Sequence, residues 1–140
     1  MIDWKHINNY IDNAKSILLT MHENPDGDGL GSATAMYYYL KEIKKDCRIL
    51  NVSSLPVEYN FLNKDNIIET YKSDIHDSWI SSVDLAIIFD VGDYKRIRDL
   101  KTRIKENNIK TLNIDHHPHP KDHPFTYNIV DLKAASTGDM

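Results

Sequence analysis

Cysteine is almost absent from these 140 residues: Cys47 stands alone, which excludes an internal disulfide framework and any multi-cysteine zinc module. Long apolar runs are missing as well. None approaches the roughly 18–20 residues a membrane-spanning helix needs, and Met1 is followed by Ile2, Asp3, Trp4 and Lys5, not by a secretion signal. Nor is there a basic excess. With 17 Lys and Arg against 21 Asp and Glu, the net charge of -4 argues against a free-standing electrostatic clamp on nucleic acid. The glycines form no dinucleotide fingerprint, and without a Gly-Lys-Ser/Thr there is no P-loop. No internal repeat, low-complexity tract or dividing linker is visible. What is there, 41% hydrophobic and 27% charged residues, suffices for one globular core. The expectation is a single soluble, cytoplasmic domain with no membrane contact, which takes a phosphorylated substrate only if cations supply positive charge.

Trp4, Ile7, Ile11 and Ala14 recur at helical spacing and predict an opening helix. Residues 17–21 read as a short buried strand, followed by a loop punctuated by Pro25, Gly27, Gly29 and Gly31. Ala33, Met36, Leu40 and Ile43 restore helical spacing in a helix starting near Gly31 and Ser32. A strand over 48–52 follows. The stretch 53–82 carries the weakest pattern, with a short helix over 55–62 and an edge strand over 66–70. Residues 83–89 form a near-continuous apolar run typical of a central parallel strand. Ile97, Leu100 and Ile104 mark a helix, and 111–114 and 127–130 the last two strands. Strands alternating with amphipathic helices predict an α/β fold: a mostly parallel sheet flanked by helices, with ligands at the carboxyl ends of the strands.

Polar residues of metal-binding type gather at those ends. The first strand delivers His22, then Asp26 and Asp28; the central run ends at Asp90, followed by Asp93; the next ends at Asp115, His116 and His117. Each signal alone has an ordinary reading. Asp26-Gly27-Asp28-Gly29 is a common turn sequence, and it is no EF-hand, because the twelfth position from Asp26 is Tyr37 and not glutamate. Asp93 suits a helix N-cap, Cys47 suits buried filler, and the prolines around His119 and His123 place both at the surface. Together, at successive strand ends, the three signals converge carboxylates that would repel one another unless bound cations intervene. Carboxylate and imidazole donors without thiolate favour manganese or magnesium, with iron, cobalt or zinc left open.

The residues His22 to Ser32 resemble the first motif of the DHH phosphoesterase superfamily, Asp90-Val91-Gly92-Asp93-Tyr94-Lys95-Arg96 its second, and Asp115-His116-His117 the third, which names it. The order and separation of the motifs also match. Within the superfamily the chain resembles the NrnA-like nanoRNases, which also dephosphorylate 3′-phosphoadenosine 5′-phosphate (pAp). Their sequence after the third motif resembles Ala134-Ala135-Ser136-Thr137.

The resemblance implies a Rossmann-like domain with two ions, manganese first and magnesium or cobalt as alternatives. His22, Asp26 and Asp90 would hold one ion, and Asp28, Asp90 and His116 the other. His117 would face the scissile phosphate, Asp115 would fix His116 and the loop, and Asp93 and Arg96 would support the site. The implied substrates are short RNA and pAp. A linear or cyclic dinucleotide phosphodiesterase is the nearest alternative, and a metal-stabilised nucleotide-binding or regulatory module without catalysis is the alternative from another class. Relatives also carry a fourth motif and a C-terminal DHHA1 domain. Ser136 or Thr137 reads as an N-cap with little helix after it, so residues 1–140 are expected to be the DHH catalytic half of a longer enzyme, weak on its own. A homodimer is compatible with this reading.

Overall fold

In the computed structural model, which describes residues 2–140, strand and helix alternate along the chain. The order is α1 (Trp4–Asn13), β1 (Ser16–Met21), α2 (Gly27–Glu42), β2 (Asp46–Asn51), a 3-10 helix (Val57–Asn63) and β3 (Ile68–Thr70). Then come α3 (Ser73–Ile80), β4 (Leu85–Phe89), a 3-10 turn (Tyr94–Ile97), α4 (Asp99–Glu106), β5 (Lys110–Asp115), β6 (Tyr127–Val130) and a last 3-10 turn (Thr137–Asp139). The strands make one six-stranded sheet in the order β3-β2-β1-β4-β5-β6, and every pairing is parallel. This is a doubly wound α/β sheet whose order reverses between β1 and β4, the place where such sheets form a ligand crevice.

Strand alternation divides the core. Ile17, Leu19 and Met21 of β1 and Leu85, Ile87 and Phe89 of β4 meet Ile7 and Ile11 of α1 and Leu30, Ala33 and Leu40 of α2. Leu18, Leu50, Ala86 and Ile88 face the other way, onto Ile80 of α3 and Leu100 and Ile104 of α4. A strand covered on both faces needs apolar residues throughout, and β4 is buried along its length. Cys47 is buried on the α1/α2 side, as filler.

Two elements depart from the sequence reading. The second helix starts at Gly27, not near Gly31, because Asp26 caps it: its side chain accepts from the backbone N–H of Asp28 and Gly29. Asp28 and the glycines therefore lie in the helix's first turns and not in a loop. A Cβ on Gly29 would stand 3.1 Å from Met21 Cβ and 3.7 Å from Asp90 Cβ, so glycine lets α2 approach the ends of β1 and β4. The other departure is α3, which lacks a side-chain N-cap and buries only His76 and Ile80. Tertiary bonds hold it: Trp79 Nε1 donates to Asp46 Oδ2 at 2.9 Å, and His76 Nε2 lies 3.2 Å from Glu69 Oε2.

Candidate metal centre

His22 follows β1 directly and is buried. Its Nδ1 lies 2.7 Å from the carbonyl oxygen of Glu23, a contact that puts the proton on Nδ1 and turns the Nε2 lone pair inward. Nε2 stands 3.4 Å from Asp90 Oδ2 and 3.7 Å from Asp26 Oδ2. The Asp90 carboxylate beside it raises the His22 pKa above its ordinary value against the opposing effect of burial. Arg96, whose Nη2 lies 3.0 Å from Nδ1, opposes protonation through its charge and anchors the loop by accepting the Glu23 N–H at 2.8 Å. The surrounding acids thus draw positive charge onto the inward nitrogen.

Asp90 is the hinge of the arrangement. It is 3% exposed and adopts a left-handed backbone, φ 60°, which aspartate tolerates better than most residues. Its Oδ2 faces His22, while its Oδ1 stands 3.2 Å from His117 Nδ1 and 3.9 Å from His116 Nε2. Burial pushes the carboxyl up, but the neighbouring His22 and His117 imidazoles leave it below the ordinary carboxylate value. Asp26 divides its oxygens similarly, Oδ1 capping α2 and Oδ2 facing His22. From the first turn of α2, Asp28 Oδ2 comes within 3.5 Å of His116 Nε2.

Two sets of donor atoms lie within 4.8 Å of one another: His22, Asp26 and Asp90, and Asp90, His116 and His117. The first brings together the three residues expected at one ion, His22, Asp26 and Asp90. In the second, His117 stands where Asp28 was expected, but His117 Nδ1 is closer to Asp115 Oδ1, at 2.8 Å, than to Asp90. Its Nδ1 is turned to Asp115, and half of its side chain is exposed.

Asp115 is fully buried at the end of β5. Its Oδ1 accepts the backbone N–H groups of His116 at 2.7 Å and His117 at 3.1 Å, which fixes the turn carrying both imidazoles. Its Oδ2 receives a contact the sequence did not suggest. His119, expected at the surface, has a 6% exposed side chain with Nε2 2.6 Å from Asp115 Oδ2. The Asn128 side-chain amide, 3.2 Å from His119 Nδ1, donates to it and leaves the proton on Nε2. Asn128 Oδ1 in turn accepts from Asn113 Nδ2 at 3.0 Å. His123 is exposed, as expected. Asp93 caps the 3-10 turn after β4 by accepting the Lys95 N–H. Thr137, read with Ser136 as a candidate helix N-cap, is buried against Asp28 and Asp90.

Comparison with known proteins places this geometry. Residues 16–140 match the DHH family, N-terminal domain. A bifunctional oligoribonuclease and PAP phosphatase, NrnA, of Mycoplasma genitalium is 29% identical over 124 residues, covering 88% of this chain and 37% of its own length. Among solved structures, an exopolyphosphatase-related protein from Bacteroides fragilis superposes with a TM-score of 0.86 at 24% identity, over 95% of this chain and 39% of that one. A manganese-bound exonuclease RecJ superposes with a TM-score of 0.61 at 13% identity, over 99% of this chain and 35% of its own. The chain thus spans well under half the length of the relatives it matches. Among the described residues, no helix is long and apolar enough to cross a membrane.

Proposed function

The chain belongs to the DHH family, and on that premise we propose that it is the catalytic part of a divalent-metal-dependent phosphoesterase acting on short oligoribonucleotides and pAp. The observation that carries the reading is Asp90: one buried carboxylate whose two oxygens face two separate imidazole–carboxylate groups. An inward imidazole lone pair between Asp26 and Asp90 needs a proton or a metal ion, and the donor set of carboxylates and imidazoles suits manganese, magnesium or cobalt. His22, Asp26 and Asp90 would hold one ion and Asp28, Asp90 and His116 the other. Ions held by these residues would supply positive charge beside an anionic phosphate and would favour deprotonation of water near neutral pH.

The protein's own contribution follows from the hydrogen bonds. Asp115 clamps the His116–His117 turn through two backbone amides, so both rings are placed before substrate arrives. The Nδ1 of His117 donates to Asp115, and its Nε2 would donate to the developing charge or to the leaving oxygen of a phosphate ester. Similarity to the oligoribonuclease and PAP phosphatase supports the substrate class. The test is turnover of a diribonucleotide, pAp, a cyclic dinucleotide, polyphosphate and pyrophosphate, each with manganese and with excess chelator. The expected outcome is manganese-dependent release of mononucleotide from the diribonucleotide and of phosphate from pAp. Preference for the cyclic dinucleotide or polyphosphate would replace the substrate class. Manganese binding without turnover of any of them would leave a non-catalytic module.

A further inference from the structure

Thr137 opens a three-residue 3-10 turn for which the preceding Ser136 provides no side-chain cap. The turn is fastened to the strand-end carboxylates instead. The Thr137 N–H donates to Asp28 Oδ2 at 2.8 Å, and the Gly138 N–H donates to Asp28 Oδ1 at 2.9 Å. The Thr137 hydroxyl donates to Asp90 Oδ1 at 3.3 Å, a bond between buried groups. The two oxygens that Thr137 touches are the same two that face His116 Nε2, at 3.5 and 3.9 Å. One residue therefore spans the two carboxylates of one half of the centre. His22, Asp26 and Asp90 Oδ2 receive no bond from it.

We propose that Thr137 is a positioning residue that assembles the cation site formed by Asp28, Asp90 and His116. The inference rests on the metal reading above. Two carboxylates converging on one imidazole repel each other and swing apart unless donors fix them. A carboxylate oxygen has two lone pairs, so one that accepts from Thr137 keeps another for a cation. Backbone N–H and hydroxyl of a single residue hold Asp28 and Asp90 in register across 109 and 47 residues of sequence. Loss of such a partner behind a ligand typically weakens metal binding about tenfold to a hundredfold.

The experiment is manganese titration of the 140-residue chain followed by electron paramagnetic resonance of free ion, with far-ultraviolet circular dichroism to report the fold. Thr137→Val keeps the backbone N–H and the side-chain volume but removes the hydroxyl; Thr137→Ala removes the same group with no steric demand. The expected result for both is one class of ions weakened at least about tenfold, with the other unchanged, and rescue by Thr137→Ser. His116→Ala identifies the weakened class as the one Asp28, Asp90 and His116 form. Wild-type binding of two ions with unaltered affinity in Val and Ala variants overturns the role of Thr137 and leaves the metal reading standing. Equal weakening of both classes, or failure of serine to rescue, also overturns it. A wild-type chain that binds no manganese overturns both.

Discussion

At the β2–β3 edge of the sheet, Glu69 accepts from Arg48 Nε and Nη2, both at 2.9 Å, and from His76 Nε2 at 3.2 Å. Beside it Arg103 joins Asp77 at 3.1 Å and Glu106 at 2.9 Å. Each acid there meets a cation of the chain's own, and the Arg48 guanidinium also lies over the Trp79 ring. At the carboxyl ends of β1, β4 and β5 the same sheet gathers Asp26, Asp28, Asp90 and Asp115 around imidazoles, and the Arg96 guanidinium lies beside His22 among the described residues. The first group is closed and the second is short of positive charge. A fold that pairs its acids with guanidinium groups at one edge and with imidazoles at another offers donors for a cation only at the second.

The largest test of that contrast is Asp90→Asn. Asparagine keeps the size of the side chain and tolerates φ 60°, so the change removes charge with little backbone strain. Manganese binding should fall at both groups, because each uses one Asp90 oxygen. Turnover of the diribonucleotide should drop at least about a thousandfold, equivalent to roughly 4 kcal/mol. Retention of more than about a tenth of wild-type turnover would show that Asp90 is not shared.

A finer test separates neighbours in the strand-end group. His116→Ala should weaken binding of one manganese ion about tenfold or more. By contrast, His117→Ala should lower kcat about a hundredfold with both ions still bound, as expected for a group that handles a proton. Calorimetric titration beside steady-state rates distinguishes the two. Equal losses of affinity would place His117 Nδ1 on the metal with Asp90, the arrangement its 3.2 Å distance permits.

The contrast also sorts what could be read from the sequence. Strands with near-continuous apolar runs were legible, because burial on both faces leaves few polar positions: the runs at 17–21 and 83–89 contain β1 but for Ser16, and β4, with Thr20 the one polar residue in those strand segments. The carboxylates and imidazoles at their ends were legible for the same reason, since a parallel sheet carries every strand end to one edge. Other features came from partners distant in sequence. Helix α3 exists because His76 and Trp79 find Glu69 and Asp46, and neither bond leaves a periodic trace. His119 sits among prolines, a surface signature, yet Asp115 and Asn128 draw its ring inward. Thr137 has the composition of a helix cap, and only the fold brings it to Asp28 and Asp90.

The smallest expected effect tests the closed group. Burial pushes the Glu69 carboxyl up, but the hydrogen bonds from Arg48 and His76 hold it below its ordinary value of 4.5. A carboxyl with a lower pKa folded than unfolded binds fewer protons in the folded state. Its contribution is therefore fully present above the ordinary value and is lost as pH falls through the folded one. His76 adds a second contact, its Nε2 lying 3.2 Å from Glu69 Oε2. Both Glu69 and Arg48 side chains are 32% exposed, so solvent screens the pair and the expected contribution is only about 1 kcal/mol. Glu69→Gln should lower the urea midpoint at pH 7 by that small amount and should leave manganese affinity unchanged. Below about pH 4.5 the wild-type and variant curves should converge, because the wild type alone loses the Glu69 contribution. Curves that stay parallel down to pH 3 would mean that Glu69 is not held by its partners. A fall in manganese affinity would mean that the two groups are coupled across the sheet, and that the closed edge supports the open one.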